Sequence, residues 1–149
     1  MVHDVADFDE LRDALVQNSF GLTSILAEVA AGHDLSLTQL RMLGVLRDRE
    51  PTMAELSAGL GLDRSTVSGL IHRAVQRGLV IKAADPTDGR AVRLRLSPAA
   101  HTIAQAIIGQ IGERLAPSIE LLTVGEQKRL TELLFKMARR PHGGASTMT

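Results

Sequence analysis

Between positions 64 and 73 stand Arg64, Ser65, Thr66, Ser68, His72 and Arg73, hydrogen-bonding side chains of short or flexible type. Arginine offers a forked pair of donors to guanine, and serine and threonine hydroxyls pair with base edges or phosphate oxygens. In a helix, Arg64, Ser65, Ser68, His72, Arg73 and Gln76 fall opposite Val67, Leu70, Ile71, Ala74 and Val75, with Thr66 near the edge. Such a face taken alone is more often merely solvated. A second feature lies downstream, in Asp85-Pro86-Thr87-Asp88-Gly89-Arg90, a run dense in turn residues. An arginine at a hairpin tip suits the negative potential of a minor groove, which makes Arg90 the first candidate for a DNA contact. Thr38 and Thr52 complete the candidate contact set upstream.

Other chemistries find little support. The chain has no cysteine, which excludes disulfides, thiolate nucleophiles and cysteine-ligated zinc. His3, His33, His72, His101 and His142 form no i,i+4 pair, so no metal site is expected. Gly59-x-Gly61 lacks the rest of any nucleotide fingerprint, and no nucleophile–base arrangement appears. The expectation is a protein that is not an enzyme and needs no cofactor.

The elements that must position these groups are well marked. Asp7-x-x-Glu10, Ser36-x-x-Gln39, Thr52-x-x-Glu55 and Thr123-x-x-Glu126 read as capping boxes, and Ser97-Pro98 as a further helix start. Apolar stripes at helical spacing follow each start: Phe8 to Val29, Leu37 to Leu46, Leu56 and Leu60, Val67 to Val75, Ile103 to Leu115, and Leu130 to Met137. Pro117 should kink or end the fifth helix. Leu79-Val80-Ile81 is β-prone, and Val92, Leu94 and Leu96 alternate with Arg93 and Arg95, giving a hairpin with one dry and one wet face. On that pattern Arg93 and Arg95 only face solvent. Gly61 stands where the chain must turn between two helices, Asp63 caps the second, and Val67 locks it on the first, which is helix-turn-helix spacing. Gly78 suits a left-handed C-cap. A capped short helix, a glycine turn, a polar-faced helix and a basic-tipped hairpin, in that order, are together far more specific than any part. The fold class is mainly α (α+β) with one β-hairpin: a winged helix-turn-helix flanked by further helices, about six helices in all.

Composition agrees. The only aromatic residues are Phe8, Phe20 and Phe135, so the core must be aliphatic, which suits helices packed on helices. Net charge is zero, but residues 51–96 hold seven Lys/Arg against four acids, leaving a basic module on an acidic body. The N-terminus MVHDVADFDELRD is acidic and not a signal peptide, and no stretch approaches a membrane span, so a cytoplasmic protein is expected. The expected organisation is an N-terminal helix at 1–35, a DNA-binding lobe at 36–96, C-terminal helices at 97–140 and a flexible tail at 141–149.

The stretches LTQLRMLGVL (37–46), MAELSAGLGLDRSTVSGLI (53–71), RGLVIKAADPTDGRAVRLRLSPAA (77–100) and LTVGEQKRLTELLFKM (122–137) resemble the MarR family of bacterial regulators across nearly the whole chain. The third is the most specific, through its Asp-x-Arg wing tip after Asp-Pro and before an L-x-L-[ST] strand end. The resemblance implies a homodimer with a helical dimerisation region made of 1–35 and 97–140, in which the first, fifth and sixth helices interlock through residues such as Phe8, Leu11, Leu15, Ile107, Ile111, Leu130, Leu133 and Leu134. It implies that the helix starting near Asp63 enters the major groove, that Arg90 enters the minor groove, and that Asp88 orients Arg90. It also implies repression at a pseudo-palindromic operator, relieved by a small aromatic or anionic effector. Phe20, Arg41 and Met42 are the candidate lining of an effector cleft. Gly69 and His72 depart from the residues that relatives often carry there, so operator preference does not transfer. A winged-helix module that binds proteins instead of DNA is the rival reading; it would not need Arg90 or the polar face before it.

Overall fold

The computed structural model describes residues 5–139. His3, His142 and the tail from 141 lie outside the described residues. The order is α1 (Val5–Ala31), α2 (Leu37–Asp48), α3 (Met53–Leu60), α4 (Arg64–Gln76), β1 (Val80–Ala84), β2 (Val92–Leu96), α5 (Pro98–Ile119) and α6 (Val124–Ala138). The chain forms two compact units, divided between Ile111 and Gly112.

The helices start where hydroxyl caps allow. Ser36 Oγ accepts from the Gln39 amide at 3.1 Å while Gln39 Oε1 accepts from the Ser36 amide at 2.7 Å. Thr52 with Glu55 and Thr123 with Glu126 repeat this reciprocal pairing, which satisfies amides that a helix start otherwise leaves open. Ser97 Oγ accepts from the Ala100 amide at 3.1 Å, with Pro98 opening α5. Two expectations need correction. Helix α1 is already under way at Val5, so Asp7 is a first-turn acid facing the positive helix end rather than its cap. Of the kink or end expected at Pro117, the end does not occur: α5 continues to Ile119. Proline forfeits only its own N–H bond, and in a last turn few further bonds remain to be broken.

In the first unit, α1 to β2 and the start of α5 enclose an aliphatic core. Met42, Leu43, Leu46, Leu56, Leu60, Val67, Leu70, Ile71, Val80, Leu94 and Leu96 are all at most 4% exposed. Val29 and Ala30 of α1 and Ala100, Ala104 and Ile107 of α5 close it. Truncating a side chain such as Ile71 here would cost about 2–5 kcal/mol, so this packing fixes which face of each helix points outward. It also corrects two sequence expectations. Met42 is fully buried and has no surface with which to line a cleft, and Ile107, 2% exposed, belongs to its own protomer's core rather than to an open interface. Ile111 packs partly against the same core.

In the second unit, Gln127 Nε2 donates to the carbonyls of Ile119 at 3.2 Å and Leu122 at 3.0 Å, closing the turn into α6. No residue of α6 is buried, and Leu130, Leu133, Leu134, Phe135 and Met137 are 40–65% exposed.

Within the core, Ser57 Oγ is buried without a hydrogen-bond partner among the described residues. A stranded hydroxyl keeps its desolvation penalty, and alanine is the better helix former. Ser57→Ala is therefore expected to raise stability by about 1 kcal/mol, measured by urea unfolding; a loss of that size would show that the hydroxyl is satisfied in solution.

Candidate nucleic-acid interface

Helix α3 ends at Gly61, whose φ of 66° is the left-handed conformation that glycine adopts without strain. The Leu62 amide then reaches back to the Ser57 carbonyl at 3.2 Å. Asp63 caps α4: Oδ1 accepts from the Thr66 amide at 2.9 Å and Oδ2 from the Thr66 hydroxyl at 2.6 Å. These bonds, the hydroxyl foremost, hold the Asp63 carboxyl below the usual range. At its far end α4 turns on Gly78, φ 69°, with the Leu79 amide on the Ala74 carbonyl at 2.9 Å. Arg77 Nη1 donates to the Asp34 carbonyl at 2.8 Å, tying this end to the turn between α1 and α2.

With Val67, Leu70, Ile71 and Ala74 buried, the opposite side of α4 presents Arg64, Ser65, Thr66, Ser68, His72 and Arg73, all exposed. The sequence-predicted residues are thus gathered on one surface. Thr66 differs from the others, because its hydroxyl proton is already committed to Asp63. A Cβ added at Gly69 would stand 3.4 Å from Arg73 Nη1, so the Arg73 guanidinium lies back along the helix beside this glycine. Thr38 is exposed on α2, and Thr52 holds its hydroxyl in the α3 cap.

The wing is an antiparallel hairpin in the register Val80↔Leu96 to Ala84↔Val92. Strand β1 runs three residues beyond Ile81, through Lys82, Ala83 and Ala84. Their own β-propensity is ordinary, and pairing to β2 decides the outcome. Val92, expected on the dry face, is 44% exposed at the far end of the hairpin, opposite the exposed Ala84.

At the wing turn the Asp85 carboxyl is almost wholly buried, with its side chain 5% exposed. Oδ1 accepts from the Thr87 amide and hydroxyl, each at 2.8 Å, and Oδ2 accepts from Arg93 Nε at 2.6 Å. Arg93 Nη1 reaches further, to Glu55 Oε2 at 3.0 Å and the Glu50 carbonyl at 3.2 Å. Arg93 therefore does not merely face solvent, whereas Arg95 is exposed as expected. Asp88 Oδ1 accepts from the Arg90 main-chain amide at 3.1 Å, so Asp88 supports Arg90 through the backbone and not through the guanidinium. Arg64, Arg73 and Arg90 have no ion-pair partner among the described residues.

Sequence reasoning missed Asp85, Arg93 and Glu55 as a group. An aspartate two residues before a threonine in a turn is a local signal for the Thr87 bonds. The sequence separation of 38 between Glu55 and Arg93 leaves no local signal for the rest. The residues expected to line an effector cleft stand in different settings. Phe20 is 71% exposed and Arg41 exposed, while Met42 is in the core. An open depression of about 400 Å³ lies elsewhere, beside Gly44, Val45, Asp48, Pro51, Glu55 and Gly59.

The Thr87 amide, then its hydroxyl, then the Arg93 guanidinium hold Asp85 well below the usual carboxylate range. A lowered folded-state pKa contributes stability that is complete above the unfolded value, about 3.9, and is lost as pH falls toward the folded one. In an NMR titration the Thr87 and Asp88 amides are expected to shift with a midpoint below about 3.9, the wing loosening through it. A midpoint at or above the free-aspartate value would show that Asp85 is not held.

The MarR family matches residues 33–91, from the end of α1 to just past the wing tip. The HTH-type transcriptional repressor NicR of Pseudomonas putida is 31% identical over 116 residues, 77% of this chain and 73% of NicR. A MarR family protein from Bacillus stearothermophilus superposes with a TM-score of 0.82 at 24% identity, over 92% of this chain and 96% of its own. A variant of MepR from S. aureus bound to an oligodeoxyribonucleotide superposes with a TM-score of 0.62 at 18% identity, over 86% of this chain and 95% of its own. With helix-turn-helix and wing in the same order, and a repressor nearly a third identical along most of its length, this chain belongs to the MarR family of transcriptional regulators.

Proposed function

We propose that the protein is a homodimeric repressor that grips a pseudo-palindromic operator, each α4 in a major groove and each Arg90 in the adjoining minor groove. The observation that carries this reading is the outward side of α4, where Arg64, Ser65, Ser68, His72 and Arg73 are exposed together while the other side is locked in the core. Hydrogen-bonding groups toward a helix N-terminus are what a major groove admits. Arg64, Arg73 and Arg90, free of acidic partners among the described residues, would displace counterions from phosphates and make affinity fall steeply with salt.

The dimer reading is supported by apolar surface that one copy leaves wet. Phe8, Leu11 and Phe20 of α1 are 63%, 57% and 71% exposed, and α6 buries none of its apolar residues. Segments 1–35 and 97–140 then serve assembly and 36–96 serves DNA, with Leu15 and Ile111 at the margin between own core and partner. Two recognition helices would sit about 34 Å apart, one turn of duplex. A small aromatic or anionic effector would act by favouring a different spacing of the lobes, with Phe20 and Arg41 supplying an aromatic ring and a cation for it. Among the described residues no helix is long and apolar enough to cross a membrane.

Selection from random duplexes should enrich an inverted repeat, and the purified protein should shift that duplex at moderate salt; enrichment of nothing would sink operator binding. Arg90→Ala is expected to weaken binding to the selected duplex about tenfold with the fold intact, by fluorescence anisotropy. Light scattering should give twice the chain mass, and Leu133→Glu should shift the protein toward monomer.

A further inference from the structure

Arg93 joins the wing to the start of α3. Its Nε is on Asp85 Oδ2 at 2.6 Å, and its Nη1 is on Glu55 Oε2 at 3.0 Å and on the Glu50 carbonyl at 3.2 Å. One guanidinium thus spans the wing turn, the approach to α3 and the α3 cap. Glu55 Oε2 is the same oxygen that accepts from the Thr52 amide in that cap, at 2.9 Å. Next to Arg93, the Leu94 amide donates to the Pro51 carbonyl at 2.9 Å. Beyond Asp85 the hydrogen bonds of the tip among the described residues stay within the turn: Asp85 N to Ala91 O at 2.9 Å, Ala91 N to Asp88 O at 3.0 Å, the Thr87 and Asp88 amides to Asp85 Oδ1, and the Arg90 amide to Asp88 Oδ1. Apart from the β1–β2 ladder, the end of the hairpin that carries Arg90 is joined to the approach and start of α3 by the main-chain bond at Leu94 and by Arg93.

We propose that Arg93 is a positioning residue for Arg90, a latch that fixes the wing against the helix-turn-helix before DNA arrives. A wing aimed in advance meets the groove without the entropic cost of ordering a loop on binding. The arrangement needs arginine: a planar fork serves two carboxylates and a carbonyl from fixed directions, and a lysine ammonium does not. The half-exposed Arg93 and the nearly buried Asp85 are poorly placed to touch phosphate themselves, which separates this role from direct contact.

The proposal rests on the operator reading for its effect on binding but not for the latch itself, so two measurements on the full-length protein separate them. The first needs no DNA. In hydrogen exchange, Arg93→Ala should speed the amides of Asp85, Arg90 and Ala91 while leaving Ile71 of α4 as protected as in the wild type. Unchanged wing exchange would overturn the latch. Should Arg93→Ala not fold, Glu55→Gln removes one latch charge while keeping a capping-box side chain, and the same wing amides should exchange faster. The second is a double-mutant cycle on the duplex that the wild type selects. Arg93→Ala should weaken binding about tenfold, the scale of coupling between interacting residues. That loss should largely disappear when Arg90 is already alanine, and Arg93→Lys should restore only part of it. An equal loss in both backgrounds would overturn action through Arg90. A wild type that selects no duplex would sink operator reading and leave the exchange result to decide the latch.

Discussion

The burial of one side of α4 is the constraint on which the rest of this protein depends. Val67, Leu70, Ile71 and Ala74 are held in an aliphatic core by α2, α3 and the hairpin. A helix locked on one side has no freedom in what it shows on the other. The Gly61 turn sets where α4 begins, the Asp63 cap sets its first residue, and Gly78 sends the chain directly into the wing. The relation between helix face and wing is therefore built from the same packing that stabilises the unit, and no separate device is needed to orient the recognition surface.

Much of this was legible in the sequence, for a physical reason. Ser36, Thr52, Asp63 and Thr123 act on amides at most three residues away, and Gly61 and Gly78 act on their own φ. Such determinants are local, so spacing along the chain reveals them. The misreadings share the opposite character. Arg93 looks like the wet side of a strand until Glu55 and the folded-back turn at Asp85 are brought to it. Met42 and Ile107 sit on stripes that could face a cleft or a second copy, and only the tertiary packing assigns them to the protomer's own core. Asp88 accepts from the main-chain amide of Arg90, and whether a carboxylate in a turn meets a side chain or a main-chain amide depends on turn geometry that spacing alone does not specify.

The aromatic residues are distributed unevenly over the fold. Phe8, Phe20 and Phe135 are the only aromatic residues of the chain, and all are more than 60% exposed, on α1 and α6. The core of the DNA-binding unit is aliphatic throughout. Large aromatic side chains carry much burial energy per residue. Here they are kept out of the protomer interior and placed on helices whose apolar sides a single copy leaves in water.

The outward side of α4 has a consequence for how such a regulator diverges. Ser65, Ser68 and His72 are exposed and bear almost no packing, so replacing them leaves stability within about 0.5 kcal/mol. Asp63 and Thr66 are excluded from this freedom because they hold the helix start. On the operator reading proposed for α4, a gene duplicate could explore new operator sequences through a handful of positions without first acquiring compensating changes in the core. Evolvability of recognition is here a direct product of where the scaffold does not need its side chains.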